Sequence, residues 1–387
     1  MPTPALRIDR LMMARALDLA KKARFICPPN PAVGCVLVSA AGDIIGTGYT
    51  QRAGDAHAEI MALRDAAAHG HSPQGATAYI TLEPCAHHGR TSPCCEALAS
   101  AGVRRVLAAA TDPNPLVAGR GFAYLRDAGV QVDMADEAAL RATRALNIGF
   151  FRRMERGCPW VRMKTAASLD GRTALADGKS QWITGEAARL DVHNWRARAC
   201  AVLTGSGTVL ADDPLLNARL DGLPRQPLLV ICDSQLRTPL HAQLWSIEER
   251  RVLIAHAQRN EAREAALREK GAELLHLPAA GEDSGENVDL PALLRLLAAR
   301  ECNEIHLEAG ARLSGAFLAA DLVDELLLYQ APVLLGEGRP IAAIGPLSAI
   351  TQGTRLRWLQ RKEVGEDMRL RAIVCGHEDA IPASAAQ

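Results

Sequence analysis

Apolar residues recur at helical spacing near the start of the chain, where Leu11, Ala14, Leu17 and Ala20 predict a helix over residues 8–23. The period then changes. Apolar runs at 33–39 and 44–49, joined by Ala41-Gly42-Asp43, predict two strands around a turn. Beyond them the pattern predicts a helix at 57–68, a strand at 76–82, a helix at 93–101, a strand at 103–109, a helix at 121–128 and a short strand at 130–133. The second half alternates again. Strands are expected at 160–164, 200–204, 227–233, 251–255, 273–277, 304–308 and 325–331, with helices at 186–197, 261–270, 291–299 and 313–320. Such alternation predicts an α/β protein whose helices pack on the faces of its sheets. Between the halves, Arg152-Arg153-Met154-Glu155-Arg156-Gly157-Cys158-Pro159 is charged and broken by Gly and Pro, which predicts domains at 1–152 and 153–378 and a tail at 379–387.

Composition narrows the class. A chain of 387 residues suits two domains, and 44 basic residues balance 44 acidic ones. No basic field favours nucleic acid or a membrane surface, so a small-molecule substrate is expected. Ten scattered cysteines and no long apolar segment point to a cytoplasmic protein rather than a secreted or membrane one.

The chemistry begins at His57-Ala58-Glu59, followed by Pro84-Cys85 and Cys94-Cys95. One imidazole and two thiolates would hold zinc and leave a fourth position for water, whereas a structural zinc takes four protein ligands. Glu59 would stay outside the ligand set and move protons, the arrangement of the zinc-dependent nucleobase deaminases. Cys94 is the expected third ligand, because adjacent residues of a helix opening at 93 cannot both face a metal, and Cys95 should pack behind it. Eight residues separate Cys85 from Cys94 instead of the usual two, and His87, Arg90 and Thr91 in that loop could donate to an anionic substrate. Further on, Thr204-Gly205-Ser206-Gly207-Thr208 and the turn from Glu308 to Gly315 are either phosphate cradles or plain turns. Neither a dinucleotide-binding glycine fingerprint nor a Walker lysine occurs.

Taken together, these motifs resemble the bifunctional riboflavin-biosynthesis deaminase–reductase family. The resemblance rests on Asn30-Pro31-x-Val33-Gly34, His57-Ala58-Glu59, Thr81-Leu82-Glu83-Pro84-Cys85, Asp112-Pro113-Asn114-Pro115 and Gly119-Arg120-Gly121. In the second half it rests on Ala167-Ser168-Leu169-Asp170-Gly171-Arg172, Ser180-Gln181-Trp182-Ile183-Thr184, Asp212-Asp213-Pro214 and Glu308-Ala309-Gly310. It implies a cytidine-deaminase-like α/β/α domain followed by a dihydrofolate-reductase-like α/β domain. The first would deaminate 2,5-diamino-6-(5-phosphoribosylamino)pyrimidin-4-one with zinc on His57, Cys85 and Cys94. The second would reduce the ribosyl group to ribityl with NADPH. Residue by residue, the resemblance assigns the cofactor to Ala166, Trp182, Thr208, Asp212, Ser234 and the turn Gly310, Ala311, Arg312, Leu313, Ser314, Gly315 and Ala316. It assigns the phosphorylated substrate to Lys164, Ser180, Arg196, Leu216, Arg219 and Glu308, with Asn30 at the deaminase site. Thr50 departs from the family's usual His, and a homo-oligomer is expected.

Overall fold

The computed structural model describes residues 4–86, 93–115, 117–280 and 286–377. The chain separates into two compact units between Arg156 and Gly157. The break expected after residue 152 therefore falls inside a helix, and the expected tail lies outside the described residues. Among the described residues no helix is long and apolar enough to cross a membrane.

The first unit opens with helix α1 (Pro4–Ala23), strands β1 (Gly34–Val38) and β2 (Ile44–Tyr49), and helix α2 (Ala58–Ala68). There follow β3 (Thr77–Ile80), α3 (Cys94–Ser100), β4 (Arg105–Ala108), α4 (Arg120–Asp127), β5 (Gln131–Met134), α5 (Glu137–Leu146) and α6 (Ile148–Arg156). The strands form one sheet in the order β2-β1-β3-β4-β5. Strand β1 runs antiparallel to β2 and β3, whereas β3, β4 and β5 are parallel. Because alternate residues of a strand face opposite sides, Cys35 and Leu37 of β1 join the core under α2, while Val36 and Val38 join the core under α1.

Glycines decide how the helices sit on this sheet. A Cβ on Gly34 would lie 1.9 Å from the carbonyl oxygen of Ala16, so α1 touches β1 backbone to backbone. That contact admits only small residues, and the buried stripe is Met12, Met13, Ala16, Ala20 and Ala23. The expected stripe through Leu11 and Ala14 was out of phase, since Leu11 is 59% exposed and Ala14 is exposed. Helix α2 is seated the same way. A Cβ on Gly48 would stand 2.2 Å from Ala58 O and 2.5 Å from Ala62 N. Gly48→Ala should therefore lift the start of α2 from the sheet and cost about 1–3 kcal/mol. Thermal melting together with metal analysis checks this; an unchanged melt would show that the helix is not held by that contact.

The second unit contains β6 (Trp160–Ala167), β7 (Arg172–Leu175), α7 (Glu186–Arg198), β8 (Ala201–Gly205), α8 (Ser206–Asp212), β9 (Leu228–Cys232) and β10 (Val252–His256). It continues with α9 (Glu261–Glu269), β11 (Ala272–His276), α10 (Leu290–Ala299), β12 (Glu304–Leu307) and α11 (Ala311–Ala319). Last come β13 (Glu325–Gln330), β14 (Gly338–Pro340), β15 (Leu356–Val364) and β16 (Asp367–Val374). Nine strands form one sheet in the order β11-β10-β9-β8-β12-β6-β13-β16-β15, and β14 pairs with β7 separately. From β11 to β13 the neighbours are parallel; the β15–β16 hairpin completes the sheet antiparallel.

Helix α7 is fixed to this sheet by buried charge. The Arg162 guanidinium bonds Glu304 and Glu325 at 3.0 Å each and stacks 4.6 Å from the Trp195 ring of α7. Arg198, at the end of the same helix, bonds Glu304 at 2.8 Å. Each buried charge thus meets its opposite, which is the condition for burying it at tolerable cost. The same contacts fix where His193 and Arg196 of α7 project.

Candidate active sites

In the first unit, two helix starts and one strand end converge. His57 is the N-cap of α2 rather than a residue of its first turn, Cys94 opens α3, and Cys85 follows β3. The Nδ1 of His57 lies 3.5 Å from Cys85 Sγ and 3.4 Å from Cys94 Sγ. Tetrahedral zinc with ordinary Zn–N and Zn–S bonds would set those separations at about 3.6 Å. The three donor atoms lie within 4.8 Å of one another, so the donor set and its spacing both fit zinc. Cys95 is 1% exposed and belongs to the apolar core, with its side chain among those under α2.

Electrostatics prepare these donors. The Cys94 thiol and the His57 ring hydrogen-bond Cys85 and bring it down to about 4 against the effect of burial. The bond to Cys85 in turn raises His57 to about 9. A divalent metal displaces such shared protons when it binds. Glu59, 4% exposed in the first turn of α2, is pushed up to about 7 by burial, with His57 opposing.

Glu83 stands in one of the family motifs, but its residue type alone does not reveal its role. Its carboxylate accepts the peptide N–H groups of Asp112 (3.2 Å) and Gly119 (3.0 Å) on one oxygen, and of Gly121 (3.0 Å) and Phe122 (3.2 Å) on the other. A side chain beside the cysteine loop thereby caps α4, doing what a local N-cap does elsewhere. Gly121 completes the seat, since a Cβ there would meet Pro84 O at 2.0 Å. Thr50 is buried, and its hydroxyl accepts the Val33 N–H at 3.1 Å, a structural use of that position. Asn30 closes a turn through its N–H to Cys27 O at 2.9 Å, next to the Ala32–Val33 segment that Asn147 and Thr50 pin. His87, Arg90 and Thr91 lie outside the described residues.

The second unit holds a cleft of about 1430 Å³ along the carboxyl ends of its parallel strands. Ala166, Trp182, Thr208, Asp212, Ser234, Gly310, Ala311, Arg312, Leu313 and Ala316 line it, as do Lys164, Ser180, Arg196, Leu216, Arg219 and Glu308. Ser314 and Gly315 do not. Ser314 is buried with its hydroxyl on Ala309 O at 3.2 Å, and a Cβ on Gly315 would meet Ala343 O at 2.2 Å. Both positions are taken up by packing inside the unit, while the first turn of α11 opens onto the cleft. His193 and Arg237 also line the cleft, although neither stands out in the sequence. A lone His beside Val192 and Trp195 reads as core.

The Gly205 and Gly310 caps carry no side-chain acceptor, and a Cβ on Gly310 would lie only 3.9 Å from Thr208 Oγ1. The starts of α8 and α11 are therefore neighbours, and their N–H groups offer an anion two positive helix ends. Deeper in the cleft, Glu308 accepts from Arg196 Nε at 2.5 Å and Nη2 at 2.9 Å, with Lys164 Nζ at 3.6 Å and His306 Nε2 at 3.3 Å. Burial would raise this carboxyl, but Arg196 and Lys164 hold it well below its usual range. Burial, with Arg196, lowers Lys164. Lys164 and Arg196 thus meet one carboxylate, and with Arg219 lining the same cleft positive charge is left for an anionic ligand.

Comparison with known proteins accounts for both sites. Residues 6–110 match the cytidine and deoxycytidylate deaminase zinc-binding region, and residues 159–370 match the RibD C-terminal domain. The riboflavin biosynthesis protein RibD of Escherichia coli is 44% identical over 379 residues, covering 94% of this chain and 99% of that one. A solved structure of RibD from Acinetobacter baumannii superimposes with a TM-score of 0.85 at 41% identity, covering 95% of this chain and 99% of that one. A diaminohydroxyphosphoribosylaminopyrimidine deaminase/5-amino-6-(5-phosphoribosylamino)uracil reductase from Thermotoga maritima superimposes with a TM-score of 0.83 at 28% identity, covering 96% and 100%. Both expected architectures, cytidine-deaminase-like and dihydrofolate-reductase-like, are present. With a zinc-binding deaminase region in one unit and that C-terminal domain in the other, the chain belongs to the RibD family of riboflavin biosynthesis enzymes.

Proposed function

We propose that residues up to Arg156 form the deaminase and those from Gly157 the reductase of a two-step conversion. In the first step 2,5-diamino-6-(5-phosphoribosylamino)pyrimidin-4-one exchanges its 2-amino group for oxygen and releases ammonia. In the second, NADPH reduces the ribosyl group to ribityl, giving 5-amino-6-(5-phosphoribitylamino)uracil. The observation that carries the reading is the meeting of His57 Nδ1 with two cysteine sulfurs at tetrahedral spacing, beside the buried Glu59.

His57, Cys85 and Cys94 would hold a zinc ion, which would supply a Lewis acid for activating water near neutral pH. Glu59 takes the protons that the attacking water gives up, passing one to the ring nitrogen and one to the departing amino group, so that nitrogen leaves as neutral ammonia. NADPH, when bound, supplies the hydride for the second step. Gly310 and the start of α11 would hold its diphosphate. Arg219 attracts the substrate phosphate, Glu308 orients the opened sugar, and Lys164 gives the proton that balances hydride transfer. Exposed Leu334, Ile344, Leu347 and Ile350 favour a homo-oligomer that covers them, and ten free cysteines fit a cytoplasmic location.

Zinc analysis of two cysteine variants tests the site. Cys94→Ser should lose the metal and the release of ammonia; Cys95→Ser should keep both. A metal-free Cys95→Ser protein, or a fully loaded Cys94→Ser protein, would overturn the ligand assignment.

A further inference from the structure

Helix α7 carries His193 one turn before Arg196 along the wall of the cleft. His193 is 4% exposed, and its Nδ1 lies 3.2 Å from the peptide nitrogen of Arg219. A peptide N–H can only donate, so Nδ1 is the acceptor and a neutral ring carries its proton on Nε2. The surroundings keep the ring neutral: burial first, then the Arg196 and Arg219 charges, bring it down to about 4. The Asn217 backbone opposes them through a hydrogen bond to the ring.

The two neighbouring guanidiniums are occupied to different degrees. Arg196 is taken up by Glu308 and by Asn217 O at 3.1 Å, whereas among the described residues the Arg219 guanidinium bonds only the Asn217 side chain, through Nη1 at 2.9 Å. A phosphate monoester presents more lone pairs than the remaining Arg219 nitrogens can meet. We propose that His193 is a substrate-binding residue of the second step, donating its Nε2–H to the phosphate that Arg219 attracts. This rests on the reading of the cleft as the reductase site. It assigns the imidazole two bonds with separate purposes, one holding the Arg219 peptide and one reaching the ligand.

Two variants separate those purposes. His193→Asn places an amide oxygen where Nδ1 stands, which keeps the Arg219 peptide bonded but removes the far donor. His193→Gln places an amide nitrogen where Nε2 stands. Initial rates of NADPH oxidation would be measured with the deaminated intermediate and with its dephosphorylated form. His193→Asn should raise KM for the phosphorylated compound about tenfold or more, as expected for a hydrogen bond to a charged group. His193→Gln should return it to within about threefold of the wild type. KM for NADPH and the kinetics of the dephosphorylated form should not change in either variant. The reverse order, with Asn like wild type and Gln impaired, would show that His193 only supports the Arg219 loop and would overturn the proposal. Unchanged KM in both variants, or equal losses with and without phosphate, would overturn it too. A wild-type protein that does not oxidise NADPH with the intermediate would instead overturn the reading of the cleft, and the proposal with it.

Discussion

Glu59→Gln should leave zinc bound and the reductase step intact while ammonia release falls by about 10²–10⁴-fold. The amide fills the space of the carboxyl, which is 4% exposed, so the packing at the start of α2 survives. The donors that meet around the metal position are His57 Nδ1 and the two sulfurs, so removing the Glu59 charge should not release the ion. What disappears is a group able to accept a proton near neutral pH and return it. The amide that replaces it does neither. Metal analysis, ammonia release and NADPH oxidation on the deaminated intermediate distinguish the possibilities. Loss of zinc would make Glu59 a ligand, and loss of both activities would mean that the two steps share residues.

Glu308→Gln should be nearly as damaging to the second step, for a different reason. The carboxylate balances Arg196 and Lys164 inside the protein, with His306 against one oxygen. Neutralising it leaves two buried cations without a counter-charge, an expected loss of about 3–5 kcal/mol in that unit's stability. Lys164, already lowered by burial, would also surrender its proton more readily, because the group that favoured its charged form is gone. Lys164→Ala separates the fold from the chemistry: the Arg196–Glu308 pair remains, yet the reductase rate should still collapse. NADPH affinity, followed by its fluorescence, should stay close to the wild type in both variants. Normal reductase rates in both would remove these residues from the site.

The sequence was most legible where one residue type has one physical use. His57, Cys85 and Cys94 are brought together although 28 and 37 positions separate the thiols from the imidazole, because chemistry constrains all three. The core phase of α1 was not legible, since Leu11 is the better hydrophobe and only the close approach at Gly34 rules it out. Helix α6 looks like a break in the sequence because Arg152, Arg153 and Arg156 dominate its composition, while Phe150, Phe151 and Met154 anchor it to the core. Asp136 could have announced α5, since its side chain accepts the Ala139 N–H at 3.1 Å as an N-cap does. The β15–β16 hairpin escaped because β15 is an edge strand rich in Arg, Lys and Glu, with buried Leu359 nearly alone on its inner side. Glu83 and His193 show the remaining limit. Their partners are peptide N–H groups, which every residue but proline has, so no residue type announces the pairing.

The most direct test of the two-step account follows ammonia and NADPH together while the wild-type protein turns over the diaminopyrimidine phosphate. Without NADPH, ammonia should be released and the deaminated ribosyl compound should accumulate; with it, one NADPH should be consumed for each ammonia, with a lag. NADPH consumption that precedes ammonia release, or that persists on the diamino compound in Glu59→Gln, would contradict the order of the steps.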